Sequence, residues 1–167
     1  MTGTGRVIRR IVWIAAMTAI LEVSKFALNA IANVELVTLL FMVFTKQFGW
    51  KDTMASAFLF ALLESMWWGI SIWTVTYFYV WPLLVIIAWF TRKEESVLIQ
   101  SCISGVYGLL FGLLCSLTTL VMSGLNAAIA WWIAGIPYDL IHGVSNFILC
   151  FLLYKPLIKA LSHFRTA

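Results

Sequence analysis

The chain is expected to be an all-α integral membrane protein, six transmembrane helices in one bundle with both termini in the cytoplasm. Three observations predict this. The residues are 63% hydrophobic and 11% charged, and the mean hydropathy is +0.99, a composition outside the range of soluble domains. Apolar runs alternate with short polar or Gly/Trp-rich breaks. Basic residues collect in alternate breaks, the pattern that the positive-inside rule describes.

The first span covers about 7–28. Arg6, Arg9 and Arg10 before an apolar run resemble a signal peptide, but Glu22 and Lys25 stand where a small-residue cleavage site should lie, so the segment reads as a retained span. The second, about 34–49, is short for a bilayer and is either little tilted or continuous with Asn29–Asn33. The third to fifth cover about 52–70, 73–91 and 96–123, and the sixth covers about 137–161, opening with Pro137 at its first helical position. The segment 123–137 is too short and interrupted to span, and reads as a short helix against the outer mouth. Residues 1–167 thus form one domain.

Arg6, Arg9 and Arg10 precede span 1, Lys46 and Lys51 lie between spans 2 and 3, and Arg92 and Lys93 lie between spans 4 and 5. Lys155, Lys159 and Arg165 close the chain, and only Lys25 is left over. Both termini and these loops are therefore expected inside, and an even number of spans demands the same. Topology accounts for the net charge of +4, and nucleic acid is not implied. The other connections have no basic residue and hold Asn29, Asn33, Trp67, Trp68, Trp73, Asn126, Trp131 and Trp132. Interfacial tryptophans are ordinary. They do not explain the acid in each neighbourhood: Glu22 and Glu35, Glu64, and Asp139. A polar, aromatic outer half suggests a pocket open to the outside.

Asp139, His142 and Asn146 fall at i, i+3 and i+7, so on a helix they share one face. Ionisable groups in a membrane span are costly and mark a ligand site or ion path. The alternative is that Asp139 caps the start of its own helix while His142 and Asn146 bond neighbouring helices. The candidate substrate site comprises these three, Glu64 at the end of span 3, and Trp67, Trp131 and Tyr138 as aromatic walls. Tyr77 belongs to a stripe with Trp73 and Trp81 at i, i+4 and i+8, suited to stacking on a ligand or to helix packing.

Motifs for chemistry are sparse, and no enzymatic activity is expected. There is no GxxxxGK[ST] loop and no HExxH. Ser145 and His142 suggest a dyad, but no elbow presents the serine and no oxyanion hole is identifiable. Cys102, Cys115 and Cys150 lie singly in apolar runs and read as packing residues, so no metal and no cofactor is expected. Small residues permit close helix approach at Ala15, Ala16 and Ala19 and at Gly105, Gly108 and Gly112. Internal packing is the preferred reading of the glycines; the alanines face either the bundle or a partner.

Asn33–Leu40, Tyr77–Leu84 and Trp131–Phe147, the last with its Gly-Ile-Pro-Tyr-Asp-Leu-Ile-His core, resemble the substrate-binding S-components of energy-coupling factor (ECF) transporters, most closely the cobalamin-type member. The resemblance spans nearly the whole chain. It implies a subunit of a prokaryotic cell membrane that captures a vitamin from outside and docks onto a transmembrane T-component driven by two cytoplasmic ATPases. It further implies toppling in the membrane to release the load, and contact of an AxxxA face on the first helix with the T-component, here Ala15 and Ala19. Phosphorylated or folate-like substrates favour an Arg or Lys clamp, whereas the outer half offers only Lys25, which Glu22 can neutralise at i, i+3. A bulky, amide-bearing, nearly neutral ligand suits the inventory, as a corrinoid does; riboflavin, pantothenate and a queuosine precursor remain alternatives. A stand-alone facilitator or channel would need a polar path through an inner half that is almost unbroken Leu, Ile, Val, Phe and Ala.

Overall fold

The computed structural model describes residues 3–165. Its helices are α1 (Gly3–Leu28), α2 (Val37–Phe48), α3 (Trp50–Trp68), α4 (Ile72–Thr91), α5 (Val97–Leu109), α6 (Phe111–Ser123) and α7 (Leu125–Arg165), with no strand among the described residues. Four stretches are long and apolar enough to cross a membrane: Thr4–Leu28, Ile72–Thr91, Val97–Ser123 across α5 and α6, and Leu125–Ser162. The second and third expected spans are helical but fall outside this group. α2 has 12 residues, and at about 1.5 Å per residue it covers only about 18 Å of a roughly 30 Å hydrocarbon layer. α3 carries Lys51, Asp52 and Glu64.

Local chemistry sets the helix starts. Ser71 and Thr74 form a reciprocal capping box at the head of α4, and the Ser96 hydroxyl accepts from the Ile99 N–H at the head of α5. Gly49, at φ +90°, turns α2 into α3 with a backbone geometry that side-chain-bearing residues rarely adopt. α2 is the axis of the bundle: it touches α1, α3, α4, α5 and α7, and every residue from Val37 to Thr45 is buried. A helix apolar all round belongs in an interior. Phe41 and Phe44 pack there with Phe60, Trp81, Leu84, Met17 and Leu21.

One expectation is refined and another corrected. The fifth span holds as one stretch, Val97–Ser123, but its helix is interrupted at Leu110, with φ −93° and ψ 0°, which separates α5 from α6. The segment 123–137 is not a separate short helix, because α7 runs unbroken for 41 residues with Pro137 and Pro156 inside it. Pro137 therefore does not open a helix. Proline is tolerated within membrane helices because neighbouring groups satisfy the backbone that it frees, so a proline boundary rule taken from soluble proteins misplaces this one. α5 and α7 approach closely: a Cβ on Gly108 would lie 2.9 Å from Gly143 Cα and from the His142 carbonyl. The glycine stripe thus serves internal packing, as preferred from the sequence.

Arginines and lysines with acidic partners gather at one end. Arg10 at the start of α1 donates to Asp52 at the start of α3 from Nε (2.9 Å) and Nη2 (2.6 Å). Lys46 at the end of α2 donates to Glu95 before α5 at 2.9 Å, and Gln47 donates to the Ile158 carbonyl of α7 at 3.2 Å. Arg9, Arg10, Lys46 and Arg92 line a cleft of about 430 Å³ there. The other end holds the polar and aromatic residues of the candidate site.

Candidate functional site

At that other end, the break at Leu110 leaves the first N–H groups of α6 without carbonyl partners inside the helix. Asp139 supplies one: its Oδ1 accepts the Gly112 N–H at 2.9 Å. Asp139 is thus a cap, as one reading held, but for α6 and not for its own helix. Gly112 is required here because a Cβ would overlap the Asp139 carboxyl group. The second carboxylate oxygen, Oδ2, is buried and has no hydrogen-bond partner among the described residues.

His142 and Asn146 follow on the same face of α7, both buried. His142 donates from Nε2 to Glu35 Oε1 at 3.2 Å, and its ring meets Phe111 edge-on with centroids 4.9 Å apart. Asn146 donates from Nδ2 to Thr38 Oγ1 at 3.2 Å. They tie α7 to the first turn of α2 and to the segment just before it. Glu35 also accepts the Thr38 N–H through Oε2 at 2.9 Å. Ser145 donates its hydroxyl to the Asn33 carbonyl at 2.9 Å and to that of His142 at 3.0 Å.

A cavity of about 430 Å³ opens above Asp139. Of the candidate site residues, Trp131, Tyr138 and Asp139 line it, joined by Asn33, Trp73, Phe111, Gly112, Ala134 and Gly135. The Trp73 and Trp131 rings lie 5.4 Å apart at 54°. Asn33 holds φ +59°, a left-handed conformation that asparagine tolerates better than most residues. No family model, no curated protein and no solved structure matches this chain.

His142 and Asn146 do not line the cavity, and the remaining candidates lie apart from it as well. Glu64 is 1% exposed and pairs with Lys25 across α1 and α3. This corrects the expected Glu22–Lys25 neutralisation: Lys25 reaches across to the more deeply buried carboxylate, and Glu22 sits within electrostatic range of both. Tyr77 packs on Phe60 at 6.0 Å and on Trp81 at 5.4 Å, with Lys25 Nζ 5.0 Å from its ring centre. Trp81 in turn lies 5.5 Å from Phe111, so aromatic packing links the Lys25–Glu64 pair to the cavity floor. Trp67 is 71% exposed, rests against Phe26 and does not line the cavity. It sits in the last turn of α3, just before Gly69, which ends the helix. Asn33, Trp73, Phe111, Gly112, Ala134 and Gly135 line the cavity without having been placed in the site from the sequence, and Glu35 was not foreseen as the partner of His142. Phe111 carries no signal in an apolar run, whereas Glu35 was visible as an acid beside the first outer connection. Ala15 and Ala19 are exposed on α1.

Proposed function

We propose that the chain is the substrate-binding S-component of an ECF transporter, which captures a vitamin from outside the cell and delivers it through a T-component and two ATPases. The observation that supports this reading best is the cavity above Asp139. It sits opposite the basic end, and Trp131, Tyr138 and Asp139 on its wall come from the stretch that carries the resemblance. In this reading α1, α2, α3, α4, the α5–α6 pair and α7 make six passes of a prokaryotic cell membrane. The basic cleft and both termini then lie in the cytoplasm, following the positive-inside rule. Cobalamin is the vitamin that the resemblance puts first, and riboflavin, pantothenate and a queuosine precursor are the alternatives.

Binding to the purified chain tests the site. Asp139→Ala removes the carboxylate from the cavity wall and His142→Ala removes the ring that packs edge-on against the lining residue Phe111, so each is expected to weaken vitamin affinity about ten- to a hundredfold, roughly 1–3 kcal/mol. Expression should survive, because removing an intramembrane charge relieves an insertion cost. Unchanged affinity in both variants would make the polar face purely structural. Energy coupling gives an independent test. Vesicles that hold this chain alone, with ATP on the side of the basic cleft, are expected not to concentrate any of these vitamins, since the sequence has no phosphate-binding loop. Uphill accumulation by the single chain would remove the S-component reading, and downhill equilibration would indicate a facilitator.

A further inference from the structure

We propose that the basic cleft binds the phosphate headgroup of an anionic phospholipid, taken from the leaflet in which this end of the bundle lies. Such a site needs only that the chain cross a membrane, whatever the cavity at the other end carries. Arg9, Arg10, Lys46 and Arg92 line the cleft against one lining carboxylate, Asp52. The positive-inside rule explains why basic residues stand on this side. It does not explain why residues from α1, from α2 and from the turn after α4 converge on a single recess of about 430 Å³.

Pairing within the protein leaves positive charge to spare. Asp52 accepts from Arg10, and Lys46 pairs with Glu95, whose side chain is 83% exposed and well screened by water. Arg9 and Arg92 have no ion pair among the described residues. The Arg92 guanidinium lies 3.5 Å from the Trp89 ring centre and gives an N–H to the Trp89 carbonyl. That holds it at the cleft with most of its donors uncommitted. Guanidinium groups match phosphate oxygens in two-pronged pairs. A second recess, of about 320 Å³, shares Arg10 and Trp89 with the first and adds Lys51, so a headgroup with two phosphates meets basic groups along its whole length.

The surroundings suit a lipid. The apolar stretch of α4 ends at Thr91, next to Arg92, which puts that guanidinium at headgroup depth. Trp13 and Trp89 line the cleft, and indole rings favour the same level. The same two helices expose Ile8 and Val12, and Ile86 and Phe90, as apolar surface for acyl chains. Basic pockets between membrane helices on the cytoplasmic side are a recurring way to hold such headgroups.

The test uses the purified full-length chain in detergent micelles that hold equal amounts of cardiolipin, which carries two phosphates, and zwitterionic phosphatidylcholine. Native mass spectrometry reads which lipid stays bound. Cardiolipin is expected to be enriched at least about tenfold. Arg9→Gln combined with Arg92→Gln should remove most of that enrichment. Arg6→Gln combined with Lys155→Gln takes away the same charge from α1 and α7 outside the cleft lining and should leave the enrichment in place. Equal retention of the two lipids by the unmodified chain overturns the proposal without recourse to any variant. Equal loss in the two double variants overturns it as well, since attraction would then come from the whole basic end and not from the cleft. Inorganic pyrophosphate, titrated by calorimetry without added lipid, separates the sources of phosphate: its binding to a chain that does not enrich cardiolipin would assign the cleft to a soluble phosphate and overturn the lipid.

Discussion

On the S-component reading proposed above, replacing Ala15 or Ala19 with tryptophan is expected to abolish reconstituted uptake and capture of a T-component, while ligand affinity of the isolated chain stays nearly unchanged. Both alanines are exposed on α1, in company with Ile8, Ile11, Val12 and Val23. Their outward position means that bulk added there meets no residue of the bundle, so binding to the isolated chain has no reason to change. Without a hydrophobic drive between helices in lipid, association depends on close backbone approach across small residues, which an indole prevents. Reconstituted uptake and co-purification, each beside a ligand titration, measure the two effects separately. Full uptake by both tryptophan variants would show that this face meets only lipid.

Lys25→Met is expected to destabilise the fold by about 3–5 kcal/mol, the cost of leaving one partner of a buried ion pair alone. The Glu64 side chain is 1% exposed and that of Lys25 is 27% exposed, so water can do little for the stranded carboxylate. Glu22 nearby adds like charge, and the lysine also lies over the Tyr77 ring. Adding Glu64→Gln to Lys25→Met should recover most of the loss, because a neutral amide is far less costly to bury than a lone charge. Thermal or denaturant unfolding in detergent measures both variants. A single Lys25→Met within about 1 kcal/mol of the parent would show that the pair is hydrated and energetically minor.

These two expectations differ in what the sequence reveals about them. Ala15 and Ala19 are legible as a small-residue face, because helical periodicity alone puts i and i+4 together. The Lys25–Glu64 pair is not legible, since periodicity favours Glu22 at i, i+3 and only the packing of α1 on α3 brings Glu64 within reach. The polar face of α7 lies between these cases. Spacing put Asp139, His142 and Asn146 on one side, and the structure buries all three. Their partners Gly112, Glu35 and Thr38 come from elements 27, 107 and 108 residues away in the chain. No local signal names them.

The sequence by itself determined the helical class, the apolar stretches around α1, α4, α5–α6 and α7, and the segregation of basic residues from the Trp- and acid-rich connections. Each of these follows from composition and period along one strand of chain. Only the tertiary structure decided that α7 runs through Pro137, that the fifth span breaks at Leu110, and that Asp139 spans that break with one oxygen to spare. Backbone groups freed by a proline or a helix break are satisfied by whichever neighbour packs against them, and that neighbour is chosen by the arrangement of helices in space.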